Sequence, residues 1–173
     1  LFKSLIPDVY QTNMGGNKHL DILNVSRAAK FADDSSIKTI MSEKNRPSFK
    51  LSDLSTANNI DNGENHDALN DCLNTIDLAR IIFKKTNNIW NDSLKLTTKK
   101  DTENFILKNK AYTSLEYFYG NTHPFLVHHI LFHPEYSWSI NWDLSFNPDE
   151  YINMDRFNLA KALDSVPKVL RTV

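Results

Sequence analysis

RPSFKLSDLSTANNIDNGENHDALNDCLNTIDLARII, residues 46–82, is the stretch on which the reading of this chain turns. Pro47 ends a polar run, and Ser48 is placed to cap a helix carrying Leu51, Leu54 and Ala57 on one side. Asn62-Gly63 then centres a turn. From Asp67 to about Lys85 the apolar residues Leu69, Leu73, Ile76, Ala79 and Phe83 recur every three or four positions, which predicts a long helix. His66 and Asp71 stand at its start. Five residues turn a side chain by about 140° on an ideal helix, so the pair shares no face if both are helical. They converge only if His66 lies in the entering turn while Asp71 projects from the first turn. There a carboxylate suits hydrated Mg²⁺, and an imidazole can take a proton from water near neutral pH. The small Ala68 leaves room for a ligand. Both residues also have ordinary explanations. Asp is favoured in first turns by the helix dipole, and His is a common polar turn residue. Spacing alone leaves the two accounts open.

Outward from this block, Ile22, Val25, Ala29 and Ala32 have helical spacing behind Asp21. The run DDSSIKTIMSEKNRP reads as a polar break. Residues 84–110 carry Lys84, Lys85, Lys95, Lys99, Lys100, Lys108 and Lys110 against Asp92, Asp101 and Glu103, a local balance of +4. That composition predicts an extended, solvated connector, with a strip contacting nucleic-acid backbone as the sharper alternative. Beyond it, YTSLEYFY (112–119), PFLVHHILF (124–132) and SWSINWDLSF (137–146) read as strands. DRFNLAKAL (155–163) reads as a short helix. The fold class expected is α/β, or α+β taken over these residues alone, mostly helical to residue 86 and β-rich from about 110.

The totals exclude several classes. With 173 residues, 40% hydrophobic and 24% charged, the composition is that of a globular domain or two small ones. One cysteine, Cys72, cannot form an intrachain disulfide. The longest apolar run is too short to span a bilayer, so no membrane partner is expected. A net charge of −1 provides no global field for nucleic acid. The chain begins on Leu1, and a longer parent chain is the expectation.

Taken together, "PSF-basic-L-x-x-L", "AN-x-I" and "HDA-x-x-D", in order across 46–82, resemble exodeoxyribonuclease I, a bacterial 3′→5′ single-strand DNA exonuclease family. The likeness extends through HLDILNVSRA (19–28), GNTHPFLVHHILFHPEY (120–136) and NWDL (141–144). It implies the C-terminal part of a ribonuclease-H-like exonuclease domain over 1–86. A connector and the start of an SH3-like domain would follow over 87–173. By position it makes His66 the general base and Asp71 the last carboxylate ligand of a site holding two Mg²⁺ in the complete enzyme. Lys50 falls at the substrate phosphates, Phe49 and Ala68 flank the nucleotide path, and Arg27 contacts DNA. The implied reaction releases 5′-mononucleotides from single-stranded DNA in repair and recombination. The setting is the bacterial cytoplasm, in a monomer with single-strand DNA-binding protein among its partners. Tyr112, Tyr117, Phe118 and Tyr119 offer stacking surfaces, although sheet core accounts for them too.

The family's other metal-binding carboxylates precede the region matched. Asp101-Thr102-Glu103 spells Asp-x-Glu but lies after the His–Asp motif in a lysine-rich stretch, and we read it as a solvated charge run. The 173 residues alone are therefore expected to be inactive, with an uncovered apolar face on the 67–85 helix. The rival readings are a non-catalytic single-stranded nucleic-acid-binding module and a zinc site from His123, His128, His129 and His133. The second is disfavoured because adjacent strand histidines point to opposite faces.

Overall fold

Asp21 caps the first helix of the computed structural model, which describes residues 15–60, 67–136 and 138–173. Its carboxylate accepts from the Leu23 amide at 2.9 Å and opens α1 (Ile22–Ala32), which buries Val25, Ser26 and Ala29. The polar break that follows contains a two-stranded antiparallel ribbon, β1 (Ile40–Met41) and β2 (Pro47–Ser48). Asn45 turns it with φ 52°, a conformation that Asn tolerates. This ribbon corrects the expected role of Ser48, which lies in β2. Helix α2 (Leu51–Ala57) starts instead at Lys50, which supplies no side-chain cap. The Ser48 hydroxyl still bonds Asp53 in the first turn of α2. At the other end, Asn58 pairs with the backbone of Lys38 in both directions, accepting from its amide at 3.0 Å and donating to its carbonyl at 2.9 Å.

Helix α3 (Ala68–Lys85) opens on Asp67, whose carboxylate accepts from the amides of Leu69 and Asn70 at 2.8 and 3.4 Å. Its buried residues are Asn74, Leu78 and Ile82. Leu78 and Ile82 join Val25, Ala29, Ile37 and Leu54 in the main core, with Phe49, Leu51 and Trp90 packed around it. The apolar positions Leu69, Leu73, Ile76 and Phe83 are instead 66%, 39%, 46% and 50% exposed. The stripe that marked this helix in the sequence faces outward.

The stretch 84–110 is not an extended connector, and its physical signals explain why. Thr86 is buried and its hydroxyl donates back to the Ile82 carbonyl at 3.0 Å, turning the chain at once into α4 (Asn87–Leu94). Trp90 of α4 meets Phe83 edge-to-face, ring centroids 6.1 Å apart. Helix α5 (Lys99–Lys108) then begins on a capping box. The Asp101 amide donates to the Thr98 hydroxyl at 3.1 Å, and that hydroxyl donates to the Asp101 carboxylate at 2.7 Å. Lys84, Lys85, Lys99, Lys100 and Lys108 ride on helices, with Lys95 and Lys110 just beyond helix ends.

The chain divides into two compact units. The first holds residues 1–102 together with 117–122; the second holds 103–116 and 123–173. The second is built on a sheet ordered β3 (Tyr112–Phe118), β4 (Asn121–Phe132), β5 (Ser139–Asp143) and β6 (Leu170–Thr172). β4 and β5 run antiparallel with a register shift between His129 and Leu131, and β6 pairs antiparallel to β5. Tyr119 (φ 52°) and Gly120 (φ 85°) form the two-residue turn between β3 and β4. The short helix α6 (Asp149–Ile152) and α7 (Arg156–Asp164), capped by Asp155, precede β6. Inside this unit Ile106, Tyr112 and Val127 form a small apolar cluster. Beside it the Tyr112 hydroxyl donates to the Asn141 side chain at 2.6 Å, as does Ser139 at 2.8 Å. Arg171 lies 3.5 Å over the Phe125 ring and pairs with both Asp143 (3.3 Å) and Glu116 (3.2 Å).

Candidate nucleic-acid interface

In the first unit, β2 and α2 place Phe49 and Lys50 side by side at a sharp change of direction. Lys50 is extended (φ −63°, ψ 142°) and exposed, while Phe49 is half-buried against the core. Phe49 meets Tyr117 of the hairpin tip edge-to-face at 5.6 Å. The Arg27 guanidinium stacks over Tyr117 at 3.9 Å and lies 5.9 Å from Phe49. The Tyr117 hydroxyl closes the arrangement by donating to the Pro47 carbonyl at 3.3 Å. Arg27 is thus half-buried and held by aromatic faces, in contrast to the exposed Lys50.

Asp71 sits half-buried in the first turn of α3, in an open depression lined with Cys72, Thr75 and Ile76. The Thr75 hydroxyl donates to the Asp71 backbone carbonyl at 2.8 Å. Ala68, the first residue of α3, is exposed. α2 packs against α3, so the helices that carry Lys50 and Asp71 are neighbours. His66 lies outside the described residues.

The fit to Mg²⁺ can be tested on the donor set. Among the described residues no group of three His, Cys, Asp or Glu side chains is placed to hold a metal ion. One carboxylate cannot impose the octahedral arrangement that Mg²⁺ requires. Asp71 suits a contributing ligand, but the described residues do not make a complete site. Asp101 and Glu103 do not supply it. On α5 their two-residue spacing turns the side chains about 200° apart. The β4 histidines are engaged locally: His128 Nδ1 sits 2.5 Å from the Lys110 carbonyl, and His129 Nδ1 sits 2.7 Å from the Ser139 hydroxyl. His133 accepts from the amides of Glu135 and Tyr136.

No family model matches the chain. Exodeoxyribonuclease I of Buchnera aphidicola subsp. Baizongia pistaciae is 30% identical over 148 residues, covering 83% of this chain and 31% of that protein. Its counterpart in Buchnera aphidicola subsp. Schizaphis graminum is 38% identical over 85 residues, or 49% of this chain and 18% of that one. The crystal structure of E. coli Exonuclease I in complex with a dT13 oligonucleotide superposes with a TM-score of 0.72, covering 95% of this chain and 38% of that chain at 21% identity. The chain belongs to the exodeoxyribonuclease I family. It spans less than a third of the length of these curated relatives. Against the family motifs, the geometry adds roles and contacts that the sequence did not show. Asn58 of the AN-x-I turn is a structural tie to Lys38. Lys30, Phe31 and Arg46 gather with the hairpin tip around Phe49. Their proximity to residues 117–122 is a long-range contact with no local sequence signal.

Proposed function

We propose that this chain is part of a 3′→5′ exodeoxyribonuclease that hydrolyses single-stranded DNA to 5′-mononucleotides. The observation that carries the reading is the placement of an exposed cation, Lys50, beside Phe49 on a helix packed against the one bearing Asp71 in its first turn. Lys50 attracts the phosphates near the scissile end as a point charge, without the bidentate grip an Arg would give. Phe49 and Ala68 flank the terminal nucleotide, and His66 is the general base. Arg27, stacked on Tyr117, steadies the wall on which the strand lies. Asp71 would be the ligand this chain contributes to a two-Mg²⁺ centre, whose ions would supply charge neutralisation at the phosphodiester. A zinc-bound form of an E. coli ExoI–ssDNA complex supports a metal centre in the family. The ribonuclease-H-like and SH3-like assignments, with the boundary at residue 86, belong to the same proposal. So do a monomeric state, a bacterial cytoplasmic setting and a role in DNA repair. An ExoI/SSB-Ct complex among the structural neighbours supports a single-strand DNA-binding protein as partner. Among the described residues no helix is long and apolar enough to cross a membrane.

The second reading is a non-catalytic single-strand-binding module. Both readings require binding of single-stranded DNA, which is measured first. A labelled oligothymidylate titrated with the 173-residue chain at two salt concentrations should bind weakly and salt-dependently. Lys50→Ala should weaken binding and lower the salt slope by about 1. Binding that ignores both salt and Lys50→Ala would contradict each reading.

A further inference from the structure

Within the first unit, a cavity of about 270 Å³ opens beside the hairpin tip, lined by Lys30, Phe31, Asp34, Pro47, Phe49 and residues 120–122. We propose that it is a nucleobase-binding subsite for single-stranded DNA, a step that rests on reading the chain as acting on single strands.

Size restricts the occupant first. Pockets that enclose drug-sized ligands run to roughly 300–1,000 Å³, so this one suits a single base rather than a length of strand. Its walls are apolar where a base is apolar: Phe31, Phe49 and Pro47 line it, and Phe31 is 47% exposed, its ring still available to stack. Every base has a π-face, so an aromatic wall accepts any of them.

Charge restricts it next. Lys30 Nζ lies 2.9 Å from the Asp34 carboxylate and donates to the Asp34 carbonyl at 2.6 Å. Lys30 and Asp34 balance one another, so the lining carries no net charge to favour a phosphate. Asn121 and Thr122 bring an amide and a hydroxyl, the donors and acceptors that suit the edge of a neutral heterocycle. Cations for the backbone stand outside the cavity instead. Arg27 lies over Tyr117, and Arg46 lies 5.7 Å over Tyr119, which is 74% exposed. A neutral, aromatic cavity flanked by guanidinium groups separates base from phosphate as a single-strand site does.

The floor is preorganised. Gly120 adopts φ +85°, and a Cβ there would come 2.6 Å from the Arg46 Cβ. Only glycine lets the turn and Arg46 approach this closely.

The test uses the 173-residue chain and two labelled oligomers of equal length, an oligothymidylate and one of abasic deoxyribose phosphates, followed by fluorescence anisotropy. Phe31→Ala should weaken oligothymidylate binding about five- to a hundredfold, the range for one lost base stack, with the salt slope unchanged. Binding of the abasic oligomer should not move. Phe31→Leu, which keeps apolar volume without the π-face, should show the same selective loss. Free thymidine monophosphate should compete poorly if the base enters as part of a strand; competition equal to that of the oligomer would place a free nucleotide there instead and overturn the strand assignment. Equal loss on both oligomers, or none on either, would overturn the subsite. Lys50→Ala separates the two levels. If it weakens binding while Phe31→Ala does not, the subsite falls and the function stands. If neither variant matters, both fall.

Discussion

Both units bury aliphatic and polar side chains, but the second ties Tyr112, Ser139 and Asn141 into one hydrogen-bonded network. In the first, Val25, Ala29, Ile37, Leu54, Leu78 and Ile82 form an aliphatic cluster in which no residue is more than 3% exposed. The second encloses Ser139, Asn141 and Asp143 at 1%, 0% and 3% exposure. There the stabilising contacts are hydrogen bonds and the Arg171 pairs, and each polar group depends on its partner staying in place. Area removed from water is indifferent to pH and tolerant of small shifts. A hydrogen-bonded interior is neither, because each lost partner strands another buried group. The network around Asn141 is therefore more exacting than the aliphatic cluster around Leu78.

That contrast can be broken by substitution. Leu78→Ala should have the largest effect, about 3 kcal/mol by urea unfolding, because Leu78 is 1% exposed at the centre of the aliphatic cluster. A cost below about 1 kcal/mol would mean that the first unit is loosely packed. Asn141→Ala should cost about 2 kcal/mol, since it strands the Tyr112 and Ser139 hydroxyls that donate to it. Tyr112→Phe on the same background should then cost little, because the stranded group is gone. Additive losses would show that the network is not cooperative.

The smallest effect is on pH dependence. Burial pushes the Asp143 carboxyl up, but hydrogen bonds from Ser145 and the Arg171 pair outweigh it and hold the group below its ordinary 3.8. A depressed carboxyl stabilises fully above that value and loses its contribution as pH falls through the lower folded one. His129 is also held below its ordinary 6.5, chiefly by burial and then by the charge of His128. Unfolded histidine then takes up a proton first, so stability falls as pH drops below 6.5. Amide exchange should show β4 and β5 losing protection on acidification sooner than α1 and α3. The reverse order would contradict the assignment of roles to the two interiors.

How much of this could be read beforehand varies by element, for physical reasons. The strands of the second unit were legible because β-branched and aromatic runs alternate between turn residues; β6 was not, since Leu170–Thr172 is too short for any period. Helix α3 was legible as a helix, yet its apolar stripe faces outward and Asn74 is buried. Periodicity identifies an apolar face without saying what covers it. Helices α4 and α5 were hidden by their Lys, Asn and Thr content, although the Thr98–Asp101 capping box was present in the sequence. At the candidate site, Phe49, Lys50, Ala68 and Asp71 rest on the motif. The Arg27–Tyr117 stack escaped it, because a contact between residues so far apart leaves no local pattern.

The central claim is that Asp71 belongs to the hydrolytic centre of a single-strand exonuclease. The most direct measurement is release of mononucleotides from 3′-labelled single-stranded DNA with Mg²⁺. It compares the complete reading frame containing these residues, the same protein with Asp71→Ala, and the 173-residue chain alone. The account predicts mononucleotide release by the first and near-complete loss in the second, with folding and single-strand binding intact. It predicts no release by the third, whose described residues hold no complete metal cluster. Wild-type rates with Asp71→Ala, or mononucleotide release by the 173-residue chain, would contradict it.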